Sequence, residues 1–65
     1  MNRLAKLRKS RNLNQMALAE KSGINLRQIQ KIEANESKME NLALKTAVAL
    51  AEALQIEDLR ELLKD

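Results

Sequence analysis

The stretch NQMALAEKSGINLRQIQKIEANES, residues 14–37, holds the one glycine of a 65-residue chain, Gly23, between two runs of helix formers. The chain has no proline, so propensity favours helix almost everywhere and the information lies in the interruptions. Before the glycine, Asn14 can cap a helix that carries Met16, Ala17, Leu18 and Ala19 and ends by Ser22. Leu13 is spaced from Leu18 as in a hydrophobic staple. The same grammar then repeats, with Ile24 and Ile29 as the staple, Asn25 as the cap and Gln28 as its reciprocal partner in a capping box. Gly23 can take the positive φ that ends a helix, and a turn this tight forces the two helices to cross at a large angle.

Outward from this stretch the pattern stays helical. A first helix is expected from Arg3 to Arg11, capped by Asn2, with Leu4, Ala5 and Leu7 inward and Asn12 in the left-handed turn that closes it. After Glu33 the text ANESKMEN supplies Asn35 as a further left-handed residue, and SKME can cap a single helical turn. A fourth helix over residues 44–54 places Leu44, Ala47, Val48, Ala51 and Leu54 on one face, expected to be the buried one. A last short helix from about Glu57 carries Leu59, Leu62 and Leu63. The expectation is a single all-α domain of five helices over residues 1–65.

Composition narrows the chemistry. Without Cys or His the chain lacks the usual means of building disulfides and zinc sites, and a carboxylate cluster is the one metal option left. No such site and no cofactor is expected. General acid, base and nucleophile choices shrink to carboxylates, Lys and Ser in no catalytic arrangement, so an enzyme is not expected. With no Phe, Trp or Tyr, the core must be aliphatic and no platform for stacking bases exists. The apolar runs fall far short of the roughly 20 residues that span a bilayer. A cytoplasmic protein with no membrane partner is expected. Charge is polarised. Residues 1–31 carry eight basic side chains against Glu20, a local charge of +7, whereas residues 32–65 sum to −4. The positive half suits a polyanion, although solvated basic helices would look the same.

On a helical wheel the third helix turns Ile29 and Ile32 to the core and leaves Leu26, Arg27, Gln30 and Lys31 on the opposite face. Such a set matches a DNA major groove: Arg and Lys donate to guanine, Gln pairs with adenine and Leu meets a thymine methyl. A solubilising face with Leu26 as a half-buried fringe residue is the other reading.

LAKLRKSRNLNQMALAEKSGINLRQIQKIE, residues 4–33, resembles the Xre/Cro-repressor type of helix-turn-helix DNA-binding domain, whose members read like LKxLRxxxGLTQ followed by xELAxKxGIxxxxISxIE. The resemblance covers nearly the whole chain. Counting from Gln15, the positions of Leu18, Ala19, Gly23, Ile24, Ile29 and Ile32 are those where the family asks for apolar, small, glycine and three apolar residues. It implies a compact λ-repressor-like fold with helices two and three as the motif, and Leu26, Arg27, Gln30 and Lys31 at base-reading positions. Gln15 would bind a phosphate at the amino end of helix two. Asn14, Asn25 and Gln28 would make entrance or backbone contacts, and Lys38 with residues 35–37 would grip flanking phosphates. Arg8 and Glu33 fall where the family often has an ion pair. Asn12 and Asn35 stand where relatives usually have glycine, the loop after helix three is longer and lacks proline, and Leu26 and Lys31 replace commoner polar residues.

The expected function is sequence-specific binding of double-stranded DNA by a repressor-like homodimer on a symmetric operator. Ile56, Leu59, Leu62 and Leu63 offer more apolar surface than one short helix needs; they serve either as the dimer surface or as core closure over the first helix. An antitoxin-like or other protein-interaction module, with a protein partner at the acidic half, is the alternative.

Overall fold

The computed structural model describes residues 2–38 and 41–63, of Leu63 the backbone only. Five α-helices follow in order, α1 (Arg3–Ser10), α2 (Gln15–Ser22), α3 (Leu26–Glu33), α4 (Leu44–Ala53) and α5 (Arg60–Leu63), with no strand among the described residues. Helices α2 and α3 pack together, α2 also packs on α4, and α1 packs on α3 and α5. The expected single turn at SKME includes Met39 and Glu40, which lie outside the described residues.

Asparagine punctuates the chain in two ways. As N-cap, the side-chain oxygen of Asn2 accepts from Ala5 N–H at 3.0 Å and that of Asn14 from Ala17 N–H at 2.7 Å. Each such cap contributes about 1 kcal/mol. Asn25 departs from the expected capping box: its Oδ1 accepts from Arg27 N–H at 2.7 Å, because the N–H of Gln28 is already taken by the Asn25 carbonyl at 3.0 Å. Asn12 (φ 59°) and Asn35 (φ 63°) occupy the left-handed region. There the chain folds back so that Leu13 N–H reaches Arg8 O at 3.2 Å and Glu36 N–H reaches Lys31 O at 2.8 Å, satisfying carbonyls that the helix ends leave open. Helix α4 closes the same way, with Gln55 at φ 59° and Ile56 N–H on Ala51 O at 2.8 Å.

Leu4, Leu18, Ile29, Leu50 and Leu54, contributed by α1 to α4 and the residue that ends α4, are fully buried at the centre of an aliphatic core. Of the expected inner face of α4, Ala51 and Leu54 are buried and Ala47 packs against the core, but Leu44 and Val48 are not, and the buried face is rotated from the expected one. Leu44 is 70% exposed and Val48 36%, while Leu50, Ala51, Ala53 and Leu54 are buried. At 100° per residue the two faces differ by about a quarter turn. Apolar residues run nearly all round α4, so its own pattern does not choose a direction; packing against α2 does. The last helix also starts later than expected, at Arg60, because Asp58 Oδ1 accepts from Arg60 N–H at 3.0 Å and so stands as the cap.

Candidate nucleic-acid interface

Gly23 makes the turn between α2 and α3 at φ 73°, its N–H on Ala19 O at 2.9 Å. A Cβ built there meets nothing within 4 Å, so conformation and not space requires the glycine. Ser22 Oγ supports the turn, donating to Leu18 O at 2.7 Å and accepting from Ile24 N–H at 3.1 Å.

With Ile29 and Ile32 buried, α3 leaves Arg27, Gln30 and Lys31 exposed, spaced as neighbours on one stripe. Leu26, expected beside them, is half-buried against the core and borders the stripe rather than standing out from it. Asn14 and Asn25 are exposed with their oxygens committed to capping, Gln28 is half-buried, and Lys38 is exposed beyond the end of α3. Of the basic side chains in residues 2–31, Lys6, Lys9, Arg11, Lys21, Arg27 and Lys31 are exposed. Arg3 is drawn to Glu61 at 3.2 Å, and Arg11 Nε donates to Leu54 O at 2.8 Å.

Arg8 is the buried exception. Its Nε lies 2.7 Å from Glu33 Oε2 and its Nη2 3.0 Å from Oε1, while Nη1 donates to Leu13 O at 2.8 Å. Glu33 raises the Arg8 pKa further above its ordinary value, first through the hydrogen bond and also through charge attraction, against the lowering effect of burial. The pair expected from the resemblance is thus formed. It ties α1 to the last turn of α3.

Two contacts of this assembly were not legible in the sequence. Gln15 Nε2, at the first position of α2, donates to Glu33 Oε1 at 3.1 Å. Asn2 uses the donor half of its amide on Ile32 O and, at 3.3 Å, on Asn35 Oδ1, so one side chain starts α1 and stops α3. Its oxygen could be assigned as a cap, but nothing local announces the partner of its nitrogen across 30 residues. Of the expected dimer residues, Leu62 is 3% exposed, Ile56 and Leu59 pack against the core, and the side chain of Leu63 lies outside the described residues. Core closure takes up the first three. Among the described residues no cluster of acidic side chains could hold a metal ion, and no helix is long and apolar enough to cross a membrane.

A tight turn joining two short helices, the second buried on one face and carrying Arg, Gln and Lys on the other, defines a helix-turn-helix protein. The family model described as helix-turn-helix matches residues 4–62, and the chain belongs to that family, in its Xre/Cro-like form. The family is one of DNA-binding regulators rather than enzymes. No curated relative and no solved structure matches the chain.

Proposed function

We propose that this chain is the DNA-reading part of a repressor-like transcriptional regulator that binds a symmetric operator as a homodimer, with α3 in the major groove. The observation that carries this reading is the exposed stripe of Arg27, Gln30 and Lys31 on a helix whose other face is anchored by Ile29 and Ile32. Arg27 and Lys31 donate to guanine edges and Gln30 pairs with adenine, while Leu26 at the margin meets a thymine methyl. Gln15, with the free amides that open α2, binds a phosphate; Asn14, Asn25, Gln28 and Lys38 set the register on the backbone.

Size supports two copies. The molecule extends 25 × 22 × 22 Å, less than the roughly 34 Å between half-sites one helical turn apart, so one copy reads one half-site. Among the described residues the large exposed apolar side chains are Met16 on α2 and, one turn apart on α4, Leu44 and Val48, the pair that offers surface for a second copy. Exposed Lys45 and Glu52 lie toward opposite ends of that helix, so two antiparallel copies bring each Lys45 to the Glu52 of the other.

Selection of bound duplexes from a random library tests the reading. Expected is one enriched, two-fold symmetric sequence whose half-site preference collapses in the double variant Arg27→Ala, Lys31→Ala. No enriched sequence, or an unchanged preference in the double variant, would overturn it.

A further inference from the structure

We infer that Glu33 is a positioning residue for DNA binding, fixing which edge of the Gln15 amide faces the nucleic acid. The inference rests on the reading that Gln15 contacts a phosphate. A glutamine amide can present either its oxygen, which repels a phosphate, or its NH2, which binds one, and rotation about its last bond exchanges the two. Glu33 removes that freedom. Its ionised carboxylate can only accept, so the nitrogen of Gln15 must face it, as the 3.1 Å contact shows. One amide hydrogen is then held by Glu33 and the other remains on the same nitrogen, at the amino end of α2, free to donate.

Arg8 makes the arrangement workable. An unpaired carboxylate beside a phosphate would repel it, but both Glu33 oxygens are engaged by the Arg8 guanidinium at 2.7 and 3.0 Å, so the pair is neutral as a unit. Arg8 is itself held by the Leu13 carbonyl at 2.8 Å, within the turn that leads into α2. Among the described residues Glu33 makes the one hydrogen bond to the Gln15 side chain. Since Glu33 is also the last residue of α3, the same carboxylate links the phosphate contact to the helix that reads bases.

The test is a double-mutant cycle on the selected operator, with the folded fraction of each variant checked by circular dichroism. Gln15→Ala is expected to weaken binding by about three- to tenfold, the worth of one hydrogen bond. Glu33→Gln, which restores the freedom of the amide to flip, is expected to weaken it comparably, with no change in preferred sequence and little further loss in the Gln15→Ala background. Independent losses that multiply would overturn the positioning role while leaving the Gln15 contact standing. No effect of Gln15→Ala would overturn the phosphate contact and the inference with it. A second measurement uses the unaltered protein: on adding duplex, one of the two Gln15 side-chain amide protons should shift strongly in NMR spectra while the one on Glu33 moves little. Equal shifts of both would count against the inference even if Glu33→Gln failed to fold.

Discussion

Arg8 and Glu33 meet edge to edge, Nε on Oε2 at 2.7 Å and Nη2 on Oε1 at 3.0 Å, with their side chains only 10% and 8% exposed. At this burial the loss of one partner strands a charge that water cannot solvate. Arg8→Ala or Glu33→Ala is therefore expected to destabilise the fold by about 3 kcal/mol, most of what a domain of this size has to lose. Replacing both, as Arg8→Met with Glu33→Leu, should recover the greater part. Urea midpoints followed by circular dichroism decide it, and a single substitution costing under about 1 kcal/mol would place the pair with weak surface bridges. The sign of its pH dependence follows from the raised Arg8 pKa. A group raised on folding adds stability that is complete below its unfolded pKa and is lost as pH climbs through the folded one. For an arginine both lie far above neutrality, so Arg8 should give stability no slope between pH 6 and pH 9.

The four positive-φ positions make a graded series: Gly23 at 73°, Asn12 at 59°, Asn35 at 63° and Gln55 at 59°. Gly23→Ala should cost about 1 kcal/mol, all of it conformational since no neighbour obstructs a Cβ. Gln55→Gly should stabilise by about 0.5 kcal/mol, the relief of the left-handed backbone being partly offset by a freer unfolded chain. Thermal melts of the two variants should move in opposite directions. A lower melting temperature for Gln55→Gly would mean that its side chain contributes more than its backbone costs.

Leu50 and Leu44 lie on the same helix and differ in exposure from 0% to 70%. Leu50→Ala is expected to cost about 2–5 kcal/mol by opening a cavity, and Leu44→Ala within about 0.5 kcal/mol of nothing. Equal losses would restore the face of α4 that the apolar spacing suggested. The contrast also marks how far the sequence could be read. Helix starts at Asn2, Asn14 and Asn25, and the turns at Asn12, Gly23 and Asn35, were legible because capping and left-handed backbone select a few side chains locally. Gln55 was missed because glutamine carries no such preference. Ile29 and Ile32, three residues apart among polar neighbours, set the orientation of α3, but α4 has apolar residues on nearly every side and takes its direction from α2. At the candidate site the exposed stripe was visible as a helical period, with Leu26 set too far out. The bonds of Gln15 to Glu33 and of Asn2 to Ile32 join distant residues that no local pattern connects.

Lys38 and Arg27 should separate affinity from specificity. Lys38 stands outside α3 and is read as a phosphate contact, so Lys38→Ala should lower affinity alike on all duplexes and flatten the plot of log affinity against log salt by about 0.9. Arg27→Ala should instead lose about 1–3 kcal/mol of discrimination at one base pair of each half-site. Binding measured on operator and scrambled duplexes from 50 to 300 mM salt distinguishes them, and a change of base preference in Lys38→Ala would assign that lysine to base reading.

The α4 face offers a test of the proposed homodimer that does not depend on finding the operator. Antiparallel pairing would place Lys45 of one copy against Glu52 of the other twice across the symmetry axis, beside Leu44 and Val48, which are exposed in the single copy. Lys45→Glu leaves two acidic residues at each contact and Glu52→Lys leaves two basic ones, so each variant alone should be monomeric by analytical ultracentrifugation at concentrations where the parent pairs. Combining both changes in one chain restores opposite charges and should restore self-association. Mixing the two single variants should give a heterodimer, since each then meets its complement. All these residues are exposed, so the substitutions should leave the fold intact, and Leu44→Asp should abolish pairing in every background. Self-association that survives Lys45→Glu, Glu52→Lys and Leu44→Asp alike would remove α4 as the contact.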